Sequence, residues 1–172
     1  MRTLIYEDPV SSSIEWIWSR DPALDWKDRS DFPDGKIGDE AFSRYMEEEV
    51  LPIWRRYTKD HDASILPIKE GWAPVTWVIG CLTTEQAQVV SMMTGYGAHR
   101  ARVTFGLRDV RGLHDSKGNP VLVKLVSGPH GPEAPQSIID WIAPDEYLLT
   151  ELSTHVLEGG LLTQRQRKSD QL

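Results

Sequence analysis

Residues 75–86, VTWVIGCLTTEQ, contain the clearest change of periodicity in the chain. Every second residue from Val75 to Ile79 is apolar, which is the two-residue period of a strand. A capping-box pattern begins at Thr83, in which the Thr83 hydroxyl accepts from the backbone of Gln86 and the Gln86 side chain reaches back. The stretch therefore predicts a strand followed directly by a helix.

Three further segments carry the periodicity of one element type. Residues 14–18 alternate, with Ile14, Trp16 and Trp18 on one face, and predict a short strand. Apolar residues at spacings of three and four follow Asp39, a suitable N-cap, and predict a helix that ends near 59–62. Pro52 should kink or split that helix because it removes a backbone donor and clashes with the preceding turn. A last helix is predicted from Pro144, with a leucine-rich stripe behind it.

The segment from Ala98 to Leu113 fits two structures. Alternation between 101 and 108 favours a strand, whereas a stripe of apolar residues at helical spacing favours a helix, and periodicity leaves both open. The helix that begins near Thr83 is expected to end at 95–97, a Gly-Tyr-Gly sequence. Residues 115–119 predict a turn, and the β-prone run 121–125 predicts a strand returning from it.

These elements predict an α+β fold, a single domain over 1–172 with three to five helices and a small antiparallel sheet. Two stretches rich in proline, glycine and charge, near 21–39 and 127–137, are too short for interdomain linkers and are predicted to be mobile loops. A second capping-box pattern occurs at 163–166. The basic residues after it predict a frayed tail at 165–172.

Composition excludes several classes of protein. The chain has 172 residues, of which 40% are hydrophobic and 26% charged, and its formal net charge is −7. An acidic balance argues against general nucleic-acid binding, which depends on neutralising phosphate. The single cysteine excludes an internal disulfide framework and a cysteine-based zinc site. The N-terminus lacks a signal-peptide pattern and no stretch approaches 18 apolar residues, so a cytosolic protein without a membrane partner is expected.

No pattern of catalytic residues stands out. The five histidines include no His-x-x-x-His or His-x-His pair that would hold a metal on one helix or strand. Cys81 precedes a predicted helix N-terminus, which can lower a thiol pKa, but its apolar neighbours favour a buried small side chain. Nucleophile-elbow and phosphate-loop patterns are missing from the sequence. The sequence therefore predicts a protein that is not an enzyme and that uses no cofactor or metal.

Seven tryptophans are the unusual feature of the composition. Trp54, Trp77 and Trp141 fit the core stripes of their predicted elements. Trp16 and Trp18 share one strand face, which is more aromatic area than one small core absorbs. Large aromatic side chains dominate both protein cores and the anchor positions of interfaces, so both roles stay open.

A succession of short segments runs along the chain: Asp8-Pro9, Ile14–Trp18, Arg20–Leu24, Pro74–Ile79, Leu82-Thr83, Val103–Val110, Asp115–Val121, Ile142–Glu146 and Leu161–Thr163. Their order resembles that of the tail assembly chaperones, small morphogenesis proteins of tailed bacteriophages. The resemblance covers most of the chain except 25–70, where the Phe42–Tyr57 helix looks like an addition, and it carries no catalytic residues.

The resemblance implies a non-enzymatic protein of the host-cell cytoplasm, with presence in the virion left open, that needs no cofactor. Its implied partner is a helical tape-measure protein or another virion protein, and homo-oligomerisation stays open. An α-rich or α+β fold is implied, which favours a helix for 98–113. Helix-in-groove recognition would supply the affinity. The hypothesis for the partner-binding surface is Trp16, Trp18, Tyr45 and Trp54.

Two alternatives belong to other classes of protein. One is a structural accessory subunit of the virion head or tail, whose added helix and tryptophans fill a symmetric interface. The other is an acidic inhibitor that blocks a host nucleic-acid-binding protein through Glu47, Glu48, Glu49 and neighbouring aspartates.

Overall fold

The computed structural model describes residues 13–156, and these residues divide into two compact units. One unit is Ser19–Val75, and the other is formed by the described residues on both sides of it, 13–18 and 76–156. The first includes the stretch 25–70 that the resemblance does not cover. That the whole chain is one domain stays a prediction, and the capping box at 163–166 and the frayed tail at 165–172 lie outside the described residues.

The structure consists of helices and short antiparallel strands. It therefore confirms the predicted α+β class. No helix in the described range is long and apolar enough to cross a membrane. In chain order the elements are β1 (Ile14–Ile17), α1 (Lys36–Tyr45), α2 (Leu51–Asp60), β2 (Thr76–Ile79), α3 (Thr84–Ser91), α4 (Gly95–Gly106), β3 (Leu107–Arg111), β4 (Val126–Gly128), β5 (Gly131–Glu133), α5 (Gln136–Ile142) and α6 (146–156).

A three-stranded antiparallel sheet in the order β1-β2-β3 organises the discontinuous unit. Trp16, Trp77 and Val110 stand opposite one another across the three strands, and all three are buried. Because cross-strand neighbours share a face of the sheet, these three side chains form the part of the core that the sheet contributes. The strands predicted at 14–18 and 75–79 are confirmed.

Both interpretations of 98–113 are correct for part of the segment. Helix α4 runs to Gly106, and strand β3 begins at the next residue. The carbonyl of Gly106 accepts a 2.8 Å hydrogen bond from the backbone of Gly80, which joins the end of the helix to the end of β2. Helix α3 ends at Ser91, earlier than predicted, and Gly95 begins α4.

The structure corrects two predictions in the region that follows. Residues 121–125 form no strand, and the predicted pairing is reduced to one bridge between His114 and Pro120 around the confirmed turn. Residues 127–137, predicted as a loop, contain the β4–β5 hairpin and the first turn of α5. Gly131, with φ at 108°, supplies a backbone conformation that the hairpin needs and other residues rarely adopt.

Helices α1 and α2 dominate the Ser19–Val75 unit. Between them lies a π-helical turn, Met46–Val50, and Pro52 occupies the first turn of α2. The irregularity predicted from Pro52 is therefore present as a π-helical turn within the helical run, since a proline cannot bond to the turn before it and a π-turn removes the clash. Helix α1 begins at Lys36, so the predicted N-cap Asp39 lies inside its first turn and Gly35 holds the N-cap position. Arg29 binds Asp39 at 2.6 Å within the stretch predicted as a mobile loop.

Candidate functional site

Trp16, the first residue of the predicted partner-binding surface, is a core residue. Its side chain is 1% exposed. The indole Nε1 donates a 2.9 Å hydrogen bond to Glu151 of α6, and the ring lies 3.4 Å from the ring of His155, measured between centroids. The strand periodicity placed Trp16 on the correct face, but α6 covers that face, so Trp16 offers no surface to a partner.

Tyr45 and Trp54 belong to the Ser19–Val75 unit. Tyr45 is buried, its hydroxyl accepts a 3.1 Å hydrogen bond from the backbone of Lys27, and its ring lies 5.6 Å from that of Phe32. Trp54 is half-buried, with its ring centroid 5.1 Å from that of Tyr57. Tyr45 is therefore a core residue, and of this pair only Trp54 reaches the surface.

Trp18 follows β1 and lines a groove at the turn between α5 and α6. Its side chain is half-buried, while the indole Nε1 has no accessible surface and no hydrogen-bond acceptor among the described residues. The exposed part of the side chain is therefore its carbon surface. The groove has a volume of about 630 Å³ and is lined by Trp18, Trp141, Pro144, Asp145, Glu146, Tyr147 and Leu148; we call it the aromatic groove.

Two exposed aromatic rings form the walls of the aromatic groove. Trp141 is 54% exposed and Tyr147 is 63% exposed. The prediction that Trp141 is a core residue is wrong because α5 turns three isoleucines, at 138, 139 and 142, into the core and leaves position 141 on the outer side. The inner part of Trp141 still packs near Trp77, at 6.2 Å between ring centroids.

Hydrogen bonds to neighbouring helices hold the aromatic groove in place. The Tyr96 hydroxyl donates to the carbonyl of Ala143 at 3.1 Å, which fixes the turn between α5 and α6 to α4. Arg100 of α4 binds Asp140 of α5 at 2.5 Å. Hydrogen bonding from Gln136 and then from Arg100 lowers the pKa of Asp140 below its ordinary value. The residues that line the groove are therefore held in place by the hydrogen bonds from α4 to α5 and to the turn that follows α5.

The rim of the aromatic groove is acidic. Asp145 Oδ1 accepts hydrogen bonds from the backbone of Tyr147 at 3.1 Å and of Leu148 at 3.0 Å, so Asp145 caps α6. The helix therefore begins at residue 146, two positions after the predicted start at Pro144. Glu146 is exposed and forms no ion pair within residues 13–156. Of the groove's lining residues, two carry carboxylates and none is basic.

A serine and a histidine meet inside the same unit. His99 Nδ1 and Ser153 Oγ are 2.9 Å apart, and Arg102 reaches the same hydroxyl at 3.4 Å. A catalytic serine needs a base at this distance, but it also needs contact with substrate. Ser153 has no exposed surface, so this cluster joins α4 to α6 inside the protein. Within residues 13–156, no group of three histidine, cysteine or acidic side chains could hold a metal ion.

The acidic run of the inhibitor alternative lies in the π-helical turn of the Ser19–Val75 unit. Glu47, Glu48 and Glu49 are exposed. Two of them line a depression of about 440 Å³, whose other charged residues are Asp39, Glu40, Lys36 and Arg44. This face therefore has an acidic excess interrupted by two basic side chains, and the inhibitor alternative stays a prediction.

Sequence reasoning identified one residue of the aromatic groove, Trp18, and missed Trp141, Glu146 and Tyr147. Tyr147 lies off the leucine stripe of the last helix, and its position outside that stripe is the signal that could have revealed it. No family model matches the chain, and comparisons with curated proteins and with solved structures give no match. The chemistry of the groove is therefore the basis for a functional proposal.

Proposed function

We propose that this protein is a non-enzymatic binding protein of phage morphogenesis, similar to a tail assembly chaperone, that holds a helical segment of a tape-measure-type partner in the aromatic groove. One observation supports the proposal above all others. Two large rings, Trp141 and Tyr147, stand exposed around a groove whose remaining aromatic wall is Trp18. Tryptophan and tyrosine are the side chains most enriched among interface anchors.

The geometry of the aromatic groove suits an amphipathic helix. Buried aromatic side chains each remove 150–250 Å² of surface from water, so covering two half-exposed rings contributes several kcal/mol before ordering costs. A groove of about 630 Å³ that is open on one side accepts the side chains of one helix face. Its braced walls lower the entropy cost of binding because they need little further ordering.

Co-expression with a partner tests the proposal. We expect a tape-measure segment from the same genome to stay in the soluble fraction and to co-purify with the wild-type protein. The double substitution Trp141→Ala and Tyr147→Ala should reduce capture at least tenfold, because removal of such anchors typically costs 2 kcal/mol or more.

Trp72→Ala is the matched control. Trp72 is 57% exposed, close to the value for Trp141, and belongs to the Ser19–Val75 unit. Its substitution should leave capture unchanged. Equal capture by the groove variant and the wild type would refute the assignment of the groove, and failure of the wild type to bind any such segment would refute the chaperone-like function.

A further inference from the structure

The aromatic groove combines aromatic walls with an acidic rim, and this combination specifies a partner more narrowly than an apolar groove would. Building on the proposed function, we propose that the partner segment inserts an arginine side chain between Trp141 and Tyr147, with its guanidinium at Glu146. The partner is thus a protein segment with a basic residue on its docking face. Three observations support this assignment: the exposed aromatic rings, the acidic charge of the rim, and the hydrogen bonds already made by backbone amides at the start of α6.

Aromatic surfaces bind cations through the negative face of the ring. Arginine is the cation best suited to this contact because its planar guanidinium stacks on aromatic faces while its methylene groups pack against apolar surface. The groove offers the exposed rings of Trp141 and Tyr147 together with the carbon surface of Trp18. An arginine side chain can therefore pack its methylene groups against the apolar surface of the groove and stack its guanidinium on an aromatic ring at the same time.

The charge of the rim also favours a cation. The beginning of a helix carries about half a positive charge, and the two carboxylates at Asp145 and Glu146 outweigh it. Glu146 has no ion-pair partner among the described residues, and Arg100 of α4 is engaged with Asp140 at 2.5 Å. A guanidinium can bind a free carboxylate in a bidentate manner, which is stronger than a neutral hydrogen bond.

An anion is the competing occupant, because the N-terminus of a helix is a common anion site. In α6 two of the amides that would bind it are already used, since Asp145 Oδ1 accepts from the backbone of Tyr147 and of Leu148. A second anion would also meet the charges of Asp145 and Glu146. The rim therefore favours a cation over an anionic ligand.

Two helical peptides that differ in one group test the proposal. Each is an 18-residue amphipathic helix of alanine, leucine and glutamine, with either arginine or its neutral isostere citrulline at the centre of the apolar face. Calorimetric titration of the full chain at low salt should give about 5- to 30-fold tighter binding of the arginine peptide. Added salt should reduce that difference, because the rim is exposed to solvent.

Substitutions at the rim assign the effect to Glu146. Glu146→Gln should weaken the arginine peptide about 3- to 10-fold and leave the citrulline peptide unchanged. Glu70→Gln is the control, because Glu70 is also exposed but lies in the Ser19–Val75 unit. Trp141→Ala should weaken both peptides, since both lose the aromatic contact.

Equal affinity for the two peptides, or no binding of either, would overturn the arginine proposal. An unchanged preference for arginine in Glu146→Gln would overturn the role of the rim. These outcomes are distinct from failure of the proposed function. The co-expression experiment measures whether Trp141 and Tyr147 are needed to bind the tape-measure segment, and that result does not depend on the charge of the segment.

Discussion

Gly106 is the residue on which the packing of α4 against α6 depends. It ends α4, its carbonyl accepts from Gly80, and it lies directly against the side chain of Val156. A Cβ added at position 106 would lie 2.7 Å from Val156 Cγ1, closer than any normal contact. Because Val156 is buried and β-branched, it has little freedom to move away.

We predict that Gly106→Ala lowers the free energy of unfolding by about 1–3 kcal/mol, the usual cost of overpacking a core. Gly97→Ala is the control, since a Cβ at position 97 of the same helix meets no atom within 4 Å. There the substitution should raise stability by up to about 1 kcal/mol through helix propensity. Urea denaturation measures both, and equal effects at the two positions would contradict the packing described.

The tryptophans show where sequence reasoning stops at the scale of single residues. Alternation correctly placed Trp16 and Trp18 on one face, but it carries no information about how far α6 covers that face. Trp16 is consequently buried and Trp18 only partly so. In a seven-residue helix such as α5, Trp141 could belong to the buried face or to the exposed face. The three buried isoleucines show that it belongs to the exposed face.

At the scale of secondary-structure elements, the sequence predicted the structure better than at the scale of single residues. The capping box at Thr83 and Gln86 is present as predicted, with both reciprocal hydrogen bonds. The structure adds a long-range contact that the sequence does not reveal, because Gln86 Nε2 also donates to the carbonyl of Pro132 at 3.0 Å. Caps and turns depend on a few adjacent residues, whereas the contact between Gln86 and the β4–β5 hairpin joins residues far apart in the chain.

The link between α4 and α5 gives a pH prediction at the same scale. A hydrogen bond from Gln136 and then one from Arg100 lower the pKa of Asp140 from its ordinary value of 3.8. A carboxyl whose pKa is lowered on folding stabilises the folded state above its ordinary pKa, and that contribution is lost as pH falls through the lowered value. The contribution of Asp140 is therefore present at neutral pH and is lost only in acid, below pH 3.8.

We predict that Gln136→Ala raises the pKa of Asp140 toward its ordinary value, because it removes the largest cause of the shift. Asp115 is an internal control, since its pKa is lowered by its own turn, through Asn119, Lys117 and Gly118. Carboxyl carbon NMR titration follows both groups in one sample. Movement of both pKa values together, or of neither, would contradict the assignment of the Gln136 hydrogen bond.

At the scale of the whole molecule, the predicted α+β class is confirmed, but the division into two compact units was not foreseen. The turn formers and charges of 21–39 predict a mobile loop, although hydrogen bonds such as that from Lys69 to the carbonyl of Pro22 hold this stretch within its unit. The predicted surface drew its residues from both units, whereas the aromatic groove lies in one. Such long-range arrangements leave no periodic trace in a single sequence.

Hydrogen–deuterium exchange of the free protein and of its complex with the tape-measure segment is the most direct test of the central claim. We predict that binding slows exchange at residues 141–148, around the aromatic groove, and leaves 36–60 unchanged. Exchange reports local opening, so a partner seated on the turn between α5 and α6 should protect it. Protection confined to 36–60, around Tyr45 and Trp54, would contradict the account and return the binding surface to the Ser19–Val75 unit.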